Sequence, residues 1–528
     1  MIRDSLFVAE WPQGTECALQ SLYQAIRERA GRVVDALADP VRDNATAAAA
    51  IGFYILAWWL YALFSKSAED IHFDMGELVA WSLEPAFGYP KHPPFAAWVV
   101  TVWFALFPYR DWAYYLLSAC NAGVALWFVW LIAKRYVDGE KRALALTLLM
   151  FSVAFNFHLL KFNLNTLLVS TWAAATYLFL RSYTERSLWW GLLAGIAAAV
   201  AMLTKYWSIF LLFGFAVGVL FDSRRAVYFR SPTPWASIAA AAILLAPNVI
   251  SLFGYGFHSI VRGAEAHAVS GSAALLKTLL NYAGGIFYLA GTALVFVLAC
   301  RPGRTALAAI ARPREPDLRL MTVALAATVL APIPIFFALN ARLDSLWTLP
   351  FWAAVPALLL APPQVRVTRG AAAAVIAAAI FVPIVLLIAA PLAALAIHRA
   401  GVPNSGAYYA QLSQEADRRW NAGASGPLRY VTGPETLAWG CTFYCRDHPR
   451  AFPNFSPIAA PWIDSAAMAR DGWVGLCRQA DSGCLATARK IAGANPVRES
   501  AVTLTRDLFG YATKPESFVI LVVPPVGR

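Results

Sequence analysis

The chain has 528 residues, of which 59% are hydrophobic and only 14% are charged, and its formal net charge is +12. This composition excludes an ordinary soluble domain, in which about half of the residues are apolar and about a quarter are charged. A net positive charge also occurs in nucleic-acid-binding proteins. Here, however, the basic residues cluster in alternate loops between apolar segments, so we expect no nucleic acid partner.

The first 48 residues are mostly polar or amphipathic, and we expect no cleavable signal peptide among them. Within this stretch Leu22, Ile26, Val33 and Leu37 recur at helical spacing. This spacing predicts an amphipathic helix that lies on the membrane surface. We therefore interpret residues 1–48 as a cytoplasmic leader.

Apolar segments then dominate residues 49–397. Their lengths are close to the roughly 20 residues that a helix needs to cross a bilayer core, which predicts an all-α polytopic membrane bundle with about eleven spans. We place the segments near 49–65, 112–133, 143–160, 165–182, 188–204, 206–221, 233–253, 275–300, 320–338, 345–361 and 371–397.

Basic residues cluster in every second loop between these segments, whereas the intervening loops hold isolated cations. This positive-inside pattern places the amino terminus in the cytoplasm. With an odd number of spans, residues 398–528 lie outside, and we expect a protein of the bacterial inner membrane with a periplasmic C-terminal domain. The clusters are Lys134, Arg135, Lys141 and Arg142; Arg224, Arg225 and Arg230; Arg301, Arg304, Arg312, Arg314 and Arg319; and Arg366 and Arg369.

By this topology residues 66–111 form an exterior loop, which contains the stretch FDMGELVAWSLEPAFGYPKHPP. Asp74 and Glu77 are three residues apart and share one face of a helix. A carboxylate beside lipid is costly unless it is paired or used, although a solvated loop with incidental acids is the alternative. We treat Glu84 as incidental. The following run, PPFAAWVVTVWFALFP, is too short to cross, and we expect it to lie as a helix in the exterior interface.

Polar residues also crowd the other segment ends on the predicted exterior face. Each has an ordinary explanation, because Lys and Arg side chains extend toward water at helix ends. Together they place cations and amides on the face that holds Asp74, which favours a site for a lipid phosphate. The candidate substrate-binding residues are Lys91, His92, Lys161, Asn163, Asn165, Lys205, Tyr206, Arg262 and Arg342.

The sequence leaves the cofactor unknown. A divalent metal is the candidate, with His258 and His267 as its ligands, but lone histidines are weak evidence for a metal site.

The last part of the chain changes composition and contains short β-prone runs such as PLRYVTG and SFVILVVPP, which predict a small α/β domain. Four of the seven cysteines fall in it, which predicts two disulfides in an exported domain. Local pairing joins Cys441 to Cys445 and Cys477 to Cys484. Two other pairings and a metal site remain as alternatives.

The pattern D-x-x-E-x-x-x-W followed by GYPKHPP resembles the first exterior loop of bacterial polyprenyl-phosphate-dependent glycosyltransferases with the C-type glycosyltransferase fold. This superfamily includes protein O-mannosyltransferases and the aminoarabinose transferase of lipid A. The segments KFNLNTLL, LTKYW and ARLDSLWTLPFW extend the resemblance over most of the membrane part. The resemblance implies that Asp74 is the catalytic aspartate, whose carboxylate takes the acceptor's proton as the general base. It leaves Glu77 open as a second base, a metal ligand or a structural acid, since Met75 stands where many members have Glu.

The implied function is transfer of a sugar from a polyprenyl-phosphate donor to a hydroxyl of a lipid, glycan or protein acceptor in the cell envelope, with inversion at the sugar. The alternatives are a lipid-linked sugar flippase or transporter and an exterior binding scaffold. A transporter needs polar or broken helices near the bilayer midplane, for which Pro247 with Asn248 and Pro332 with Pro334 are candidates. We prefer the enzyme because the polar residues crowd one membrane face.

Overall fold

The structure is a computed structural model that describes residues 13–257, 268 and 270–526. It consists of a helical bundle rich in apolar helices, followed by a small α/β domain. The fold class predicted from the sequence is therefore confirmed. The predicted metal ligands His258 and His267 and the candidate substrate-binding residue Arg262 lie outside the described residues.

The bundle contains six helical segments, among the described residues, that are long and apolar enough to cross a membrane. These are Asp43–Ser65, Asp111–Lys134, Thr233–Gly254, Ser272–Cys300, Pro316–Ala338 and Arg369–Ala400. Further apolar or mixed helical segments pack among them and match other predicted spans. They are Leu164–Glu185, Leu188–Thr204, Tyr206–Phe221 and Ser345–Leu360.

The predicted span at 143–160 is not one helix. Helix Glu140–Thr147 gives way to a short 3-10 turn at Leu148–Phe151, and a second such turn forms at His158–Leu160. The irregular backbone between the turns is accommodated because it packs inside the protein, where Ser152 and Asn156 are buried and hydrogen-bonded. The number of membrane crossings stays a prediction.

Buried ion pairs hold the bundle end that is predicted to be cytoplasmic. Asp43, at the start of its helix, is fully buried and lies 2.8 Å from Lys134 and 3.1 Å from Arg142. In a neighbouring loop Arg224 reaches Asp317 at 2.6 Å. Removing Lys134 and Arg142 would leave Asp43 as an uncompensated buried charge, so its pairs fix these segments to each other, whereas the partly exposed pair of Arg224 and Asp317 contributes less.

The leader forms helix Gln13–Ala38, which confirms the predicted helix. Its residues Ala30, Val34 and Leu37 are buried, and the helix packs against Arg369–Ala400. One face of the leader therefore covers the bundle itself, and its position on the membrane surface stays a prediction.

The exterior loop contains two helices, which we call the loop helix (Phe73–Ser82) and the interface helix (Phe95–Leu106). The interface helix has 12 residues, which is too few to cross a bilayer. At its two ends Trp98 and Trp103 each donate an indole hydrogen bond of 2.9 Å to a backbone carbonyl. The helix is as predicted, and its depth in the membrane interface stays a prediction.

The C-terminal domain is built on a five-stranded mixed sheet with the order β2-β1-β3-β7-β4, in which β1 runs parallel to β2 and β3 while β7 is antiparallel to β3 and β4. The strands are Tyr430–Gly433 (β1), Arg450–Pro453 (β2), Trp473–Arg478 (β3), Arg498–Leu504 (β4), Asp507–Leu508 (β5), Tyr511–Ala512 (β6) and Glu516–Val523 (β7). Its helices are Tyr409–Gly423, Glu435–Tyr444, Ser465–Asp471 and Ser482–Ala492.

Both local disulfides predicted from the cysteine spacing are present. Cys441 pairs with Cys445 at a Cα–Cα distance of 5.2 Å, and Cys477 pairs with Cys484 at 5.8 Å. The first closes the end of helix Glu435–Tyr444, which we call the tail helix, and the second ties β3 to the following helix.

The orientation can be tested with single cysteines in a chain whose Cys17, Cys120 and Cys300 are replaced by Ala. We expect a membrane-impermeant maleimide to label Ala422→Cys in intact spheroplasts, since residue 422 lies in the domain predicted to be exterior. Asp138→Cys, in a predicted cytoplasmic loop, should label only after permeabilisation. The reverse pattern would contradict the topology.

Candidate functional site

Asp74 lies in the first turn of the loop helix, where the helix dipole favours negative charge. Its backbone N–H donates to Nδ1 of His72 at 3.2 Å, and His72 thereby caps the helix. Its carboxylate oxygen Oδ2 accepts a 2.8 Å hydrogen bond from Nδ2 of Asn163 and lies 3.6 Å from Nζ of Lys161. The side chain is 25% exposed, so a substrate can reach it.

Asn163 is fixed by its role in a second helix. It caps the start of helix Leu164–Glu185, where its Oδ1 accepts a 3.0 Å hydrogen bond from the backbone N–H of Thr166. In return, the backbone N–H of Asn163 donates a 2.9 Å hydrogen bond to Oγ1 of Thr166. This reciprocal cap leaves the amide Nδ2 to donate to Asp74. The carboxylate is therefore oriented by a residue whose rotamer is already determined by the membrane bundle.

The surroundings of Asp74 keep it ionised. Burial raises the pKa of this carboxyl, but His72, Lys161 and the hydrogen bond from Asn163 together bring the pKa below its ordinary value. Burial lowers the pKa of His72 to about 4, so its imidazole carries the charge that affects Asp74 only at acidic pH and is neutral near pH 7. Lys161 is thus the cation nearest to Asp74 at neutral pH in the part of the chain that the structure describes.

Glu77 and Lys91 form a second pair beside the first. Lys91 Nζ donates to Glu77 Oε1 at 2.8 Å, and the Glu77 side chain is only 3% exposed. Burial raises the pKa of Glu77 to about 7 despite the lysine. The negative charge of Asp74 also raises the pKa of Glu77 and of Lys91, as expected when Asp74 and Glu77 share one helix face. Two neighbouring carboxyls thus have widely separated pKa values, which is a common property of catalytic sites.

Lys205 provides another cation on the same side. It lies in the turn between Leu188–Thr204 and the next helix, donates to Oδ1 of Asn165 at 2.7 Å and lies 5.2 Å from the centre of the Trp347 ring. Burial lowers the pKa of Lys205 to about 8, while the charges of Asp344 and Asp74 oppose this shift. The amine remains mostly protonated at neutral pH.

The remaining candidates lie around this centre. The Tyr206 hydroxyl donates to Oδ1 of Asn248 at 3.1 Å, and Asn248 Nδ2 donates to the carbonyl of Phe87 in the exterior loop at 2.7 Å. The His92 ring packs edge-on against Trp81. Arg342 is 54% exposed and pairs with Asp344 at 3.1 Å, so it lies at the rim and makes no contact with Asp74.

The metal prediction stays open. Both histidines proposed as ligands lie outside the described residues, and within those residues no group of three or more His, Cys, Asp or Glu side chains is arranged to hold a metal ion.

The C-terminal domain contributes to the site, which the sequence did not indicate. The tail helix packs directly on the loop helix, where a Cβ on Gly76 would lie 3.1 Å from the carbonyl oxygen of Trp439. The Trp439 ring lies 5.5 Å below Nζ of Lys91. A cavity between the loop and this domain is lined by Glu77, Trp81, Lys91, Glu435, Trp439 and Trp462.

Two ion pairs fix the domain on the loop. Asp70 is 4% exposed and accepts from Arg506 at 2.8 Å and from the backbone N–H of Ala410 at 2.9 Å. Glu84, which was expected from the sequence to be incidental, instead accepts two hydrogen bonds from Arg450. The partners lie more than 300 residues apart, so no local pattern could have revealed these contacts.

Arg506→Gln should loosen the domain, because it leaves Asp70 buried without its cation. We expect the free energy of unfolding to fall by roughly 3–5 kcal/mol, the usual cost of breaking a buried pair, together with faster proteolysis of the C-terminal domain. Arg418→Gln, whose side chain is 73% exposed, is the matched control. Equal melting temperatures for the two variants would contradict the docking role.

Residues 91–250 match a family model described as dolichyl-phosphate-mannose-protein mannosyltransferase. The matched range contains Lys91, Asn163 and Lys205, and it begins after Asp74 and Glu77. No curated protein matches the chain in sequence.

The chain is similar in structure to ArnT from Cupriavidus metallidurans. The structure of that protein bound to undecaprenyl phosphate aligns with a TM-score of 0.56 and 15% identity, covering 88% of this chain and 96% of that chain. The apo structure gives a TM-score of 0.55 and 13% identity, covering 88% and 97%. The shared fold and the matched family model bear out the predicted resemblance to membrane glycosyltransferases of the C-type fold.

Proposed function

We propose that the chain is a membrane glycosyltransferase that moves a sugar from a polyprenyl-phosphate donor to a hydroxyl group of an envelope acceptor. The observation that carries the proposal is the geometry of Asp74, an ionised and accessible carboxylate oriented by Asn163 beside Lys161. The family match to a sugar transferase that uses a lipid phosphate, and the fold shared with a protein bound to undecaprenyl phosphate, support this reaction class.

Asp74 acts as the general base in this proposal. The acceptor hydroxyl oxygen attacks the anomeric carbon, the carboxylate takes the hydroxyl proton, and the bond between the anomeric carbon and the phosphate oxygen breaks. Because the attacking and leaving oxygens lie on opposite sides of the carbon, a single displacement inverts its configuration. The low pKa of Asp74 keeps the base unprotonated at neutral pH.

The lysines stabilise the leaving group. The donor is a phosphodiester with one negative charge, and the departing lipid phosphate gains about one more as the bond breaks. Lys161 and Lys205 approach the acid from two different helix ends, so their fixed charges stabilise the transition state more than the bound donor. Lys91, bound to Glu77, adds a third cation.

A small cavity of about 40 Å³ between the exterior loop and the tail helix marks the side from which we infer that the acceptor hydroxyl reaches the site. This cavity opens beside Glu77 and Lys91 and is walled by Trp81, Trp439 and Trp462, whose rings suit a sugar or another amphipathic acceptor. A lipid, a glycan and a protein hydroxyl remain the acceptor classes. The site would lie on the periplasmic face of a bacterial inner membrane, as the basic-loop pattern predicts.

The transporter alternative has less support. One of its candidate midplane interruptions, Asn248, is 2% exposed and joins Tyr206 to the carbonyl of Phe87, which is a structural use of its amide. A transport path needs polar groups that continue through the bundle. The hydrogen bonds of Asn248 instead connect its helix to the exterior loop.

Asp74→Asn should abolish the base while keeping the shape of the side chain. We expect turnover to fall by roughly 10²- to 10⁴-fold with donor binding little changed, because general-base catalysis is usually worth that factor. The assay is transfer of a labelled sugar from polyprenyl phosphate by the purified protein. Glu69→Gln, which removes an acid paired with Lys66 on the same loop, is the control and should stay active. Near-normal turnover of Asp74→Asn would contradict the assignment.

Donor affinity should depend on pH through Glu77. Below its raised pKa of about 7 the carboxyl is neutral, so Lys91 is free to attract the donor phosphate. Above it, the carboxylate neutralises the lysine and repels the phosphate. We therefore expect the KM for the donor to rise between about pH 6 and pH 8, and Glu77→Gln to remove this change. A KM profile that is the same in both proteins would contradict the role of Glu77.

A further inference from the structure

A larger cavity, of about 710 Å³, lies at the bundle end opposite Asp74, between the segment Ser272–Cys300 and helix Arg369–Ala400. Its cationic lining comes from the helix ends, where Arg301 directly follows one helix and Arg366 precedes the other. The apolar lining comes from the adjoining turns of the two helices and from the 3-10 turn at Leu148–Phe151. It includes Phe151, Val295, Leu298, Ala299, Val375 and Ala378.

Three arginines face this cavity: Arg27 from the leader helix, Arg301 and Arg366. In the part of the chain that the structure describes, none of the three forms an ion pair. Other arginines at this end behave differently, since Arg369 reaches Asp35 at 2.7 Å and Arg142 reaches Asp43 at 3.1 Å. Three like charges around one cavity repel each other, and guanidinium groups bind phosphate oxygens well, so the cavity is suited to an anion.

We propose that this cavity binds an anionic phospholipid from the leaflet opposite the catalytic site. The head-group phosphate contacts Arg301 and Arg366, with Arg27 above it, and an acyl chain lies along the apolar lining between the two helices. Basic pockets between membrane helices bind anionic lipid head groups in this way. A free phosphate would satisfy the arginines but leave the apolar lining uncovered, and for this reason we commit to a lipid.

The bound lipid would connect three separate segments of the fold: the leader helix, the end of Ser272–Cys300 and the start of Arg369–Ala400. The leader already packs against Arg369–Ala400, so the lipid extends an existing contact. The inference is independent of the proposed sugar transfer, because the cavity and Asp74 lie at opposite ends of the bundle.

Native mass spectrometry of the full-length protein in detergent tests the proposal, with phosphatidylglycerol and phosphatidylcholine of the same acyl chains as probes. We expect the protein to prefer phosphatidylglycerol, and R301Q/R366Q to weaken its binding roughly 10- to 30-fold without changing the binding of phosphatidylcholine. The matched control is R312Q/R314Q, which removes the same charge from a neighbouring loop that does not line the cavity. This control should retain wild-type affinity.

A second variant separates a lipid site from a phosphate site. Ala374 is exposed in the cavity lining, so Ala374→Trp fills the apolar floor and keeps every arginine. The Ala374→Trp variant should no longer bind phosphatidylglycerol. This result tests the lipid site even if R301Q/R366Q does not fold. Retained phosphatidylglycerol binding by Ala374→Trp would overturn the proposal, as would equal binding of the two phospholipids by the wild type.

Discussion

The hydrogen bond from Asn163 to Asp74 is the contact on which the site depends. Asn163 caps a membrane helix with its carbonyl oxygen and orients the carboxylate with its amide nitrogen. The exterior loop thereby takes its position from the bundle, and Lys161, two residues before Asn163, is brought to the acid by the same turn. A shift of that helix end would displace the acid and its cation together, which explains how a loop at the membrane edge can hold a defined geometry.

The two ends of the bundle use charge differently. At the end predicted to be cytoplasmic, Asp43 is fully buried between Lys134 and Arg142, and its charge serves stability. At the other end Asp74 and Lys161 are 3.6 Å apart, and both side chains remain partly exposed. A loosely paired, accessible acid retains the capacity to accept a proton from a substrate, whereas a tightly paired buried acid does not.

The C-terminal domain acts as a wall of the site. The ion pair of Asp70 with Arg506 lies just before the loop helix, and the ion pair of Glu84 with Arg450 lies just after it. Between them, the tail helix packs on the loop helix at Gly76. The Cys441–Cys445 disulfide closes the end of the tail helix. The position of Trp439 near Lys91 therefore depends on how this domain docks.

The sequence predicted the parts of this structure that depend on local pattern. Apolar length predicted the bundle, cysteine spacing predicted both disulfides, and the spacing of Asp74 and Glu77 placed the two acids on one helix face. It did not predict contacts between distant segments: Asn163 as the direct partner of Asp74 was one of nine candidates, and Trp439 was not among them. His72 was also missed, although its position directly before the helix is typical of a capping residue.

The prediction of one membrane span at 143–160 was wrong for a related reason. Its apolar composition is the same whether it lies in a continuous helix or in short turns, whereas the hydrogen bonds from Ser152 to the Tyr288 carbonyl and from the Tyr54 hydroxyl to Asn156 join it to distant segments. The periodicity of hydrophobic residues in the sequence does not reveal contacts of this kind.

We propose that Asp74 and the lysines around it form the site of a lipid phosphate, and a structure of the protein determined with undecaprenyl phosphate tests this site. We expect the phosphate within hydrogen-bonding distance of Lys161 or Lys205, on the Asp74 side of the loop helix, with the lipid chain leading away into the membrane. A phosphate bound only at the opposite end of the bundle, among Arg27, Arg301 and Arg366, would contradict it.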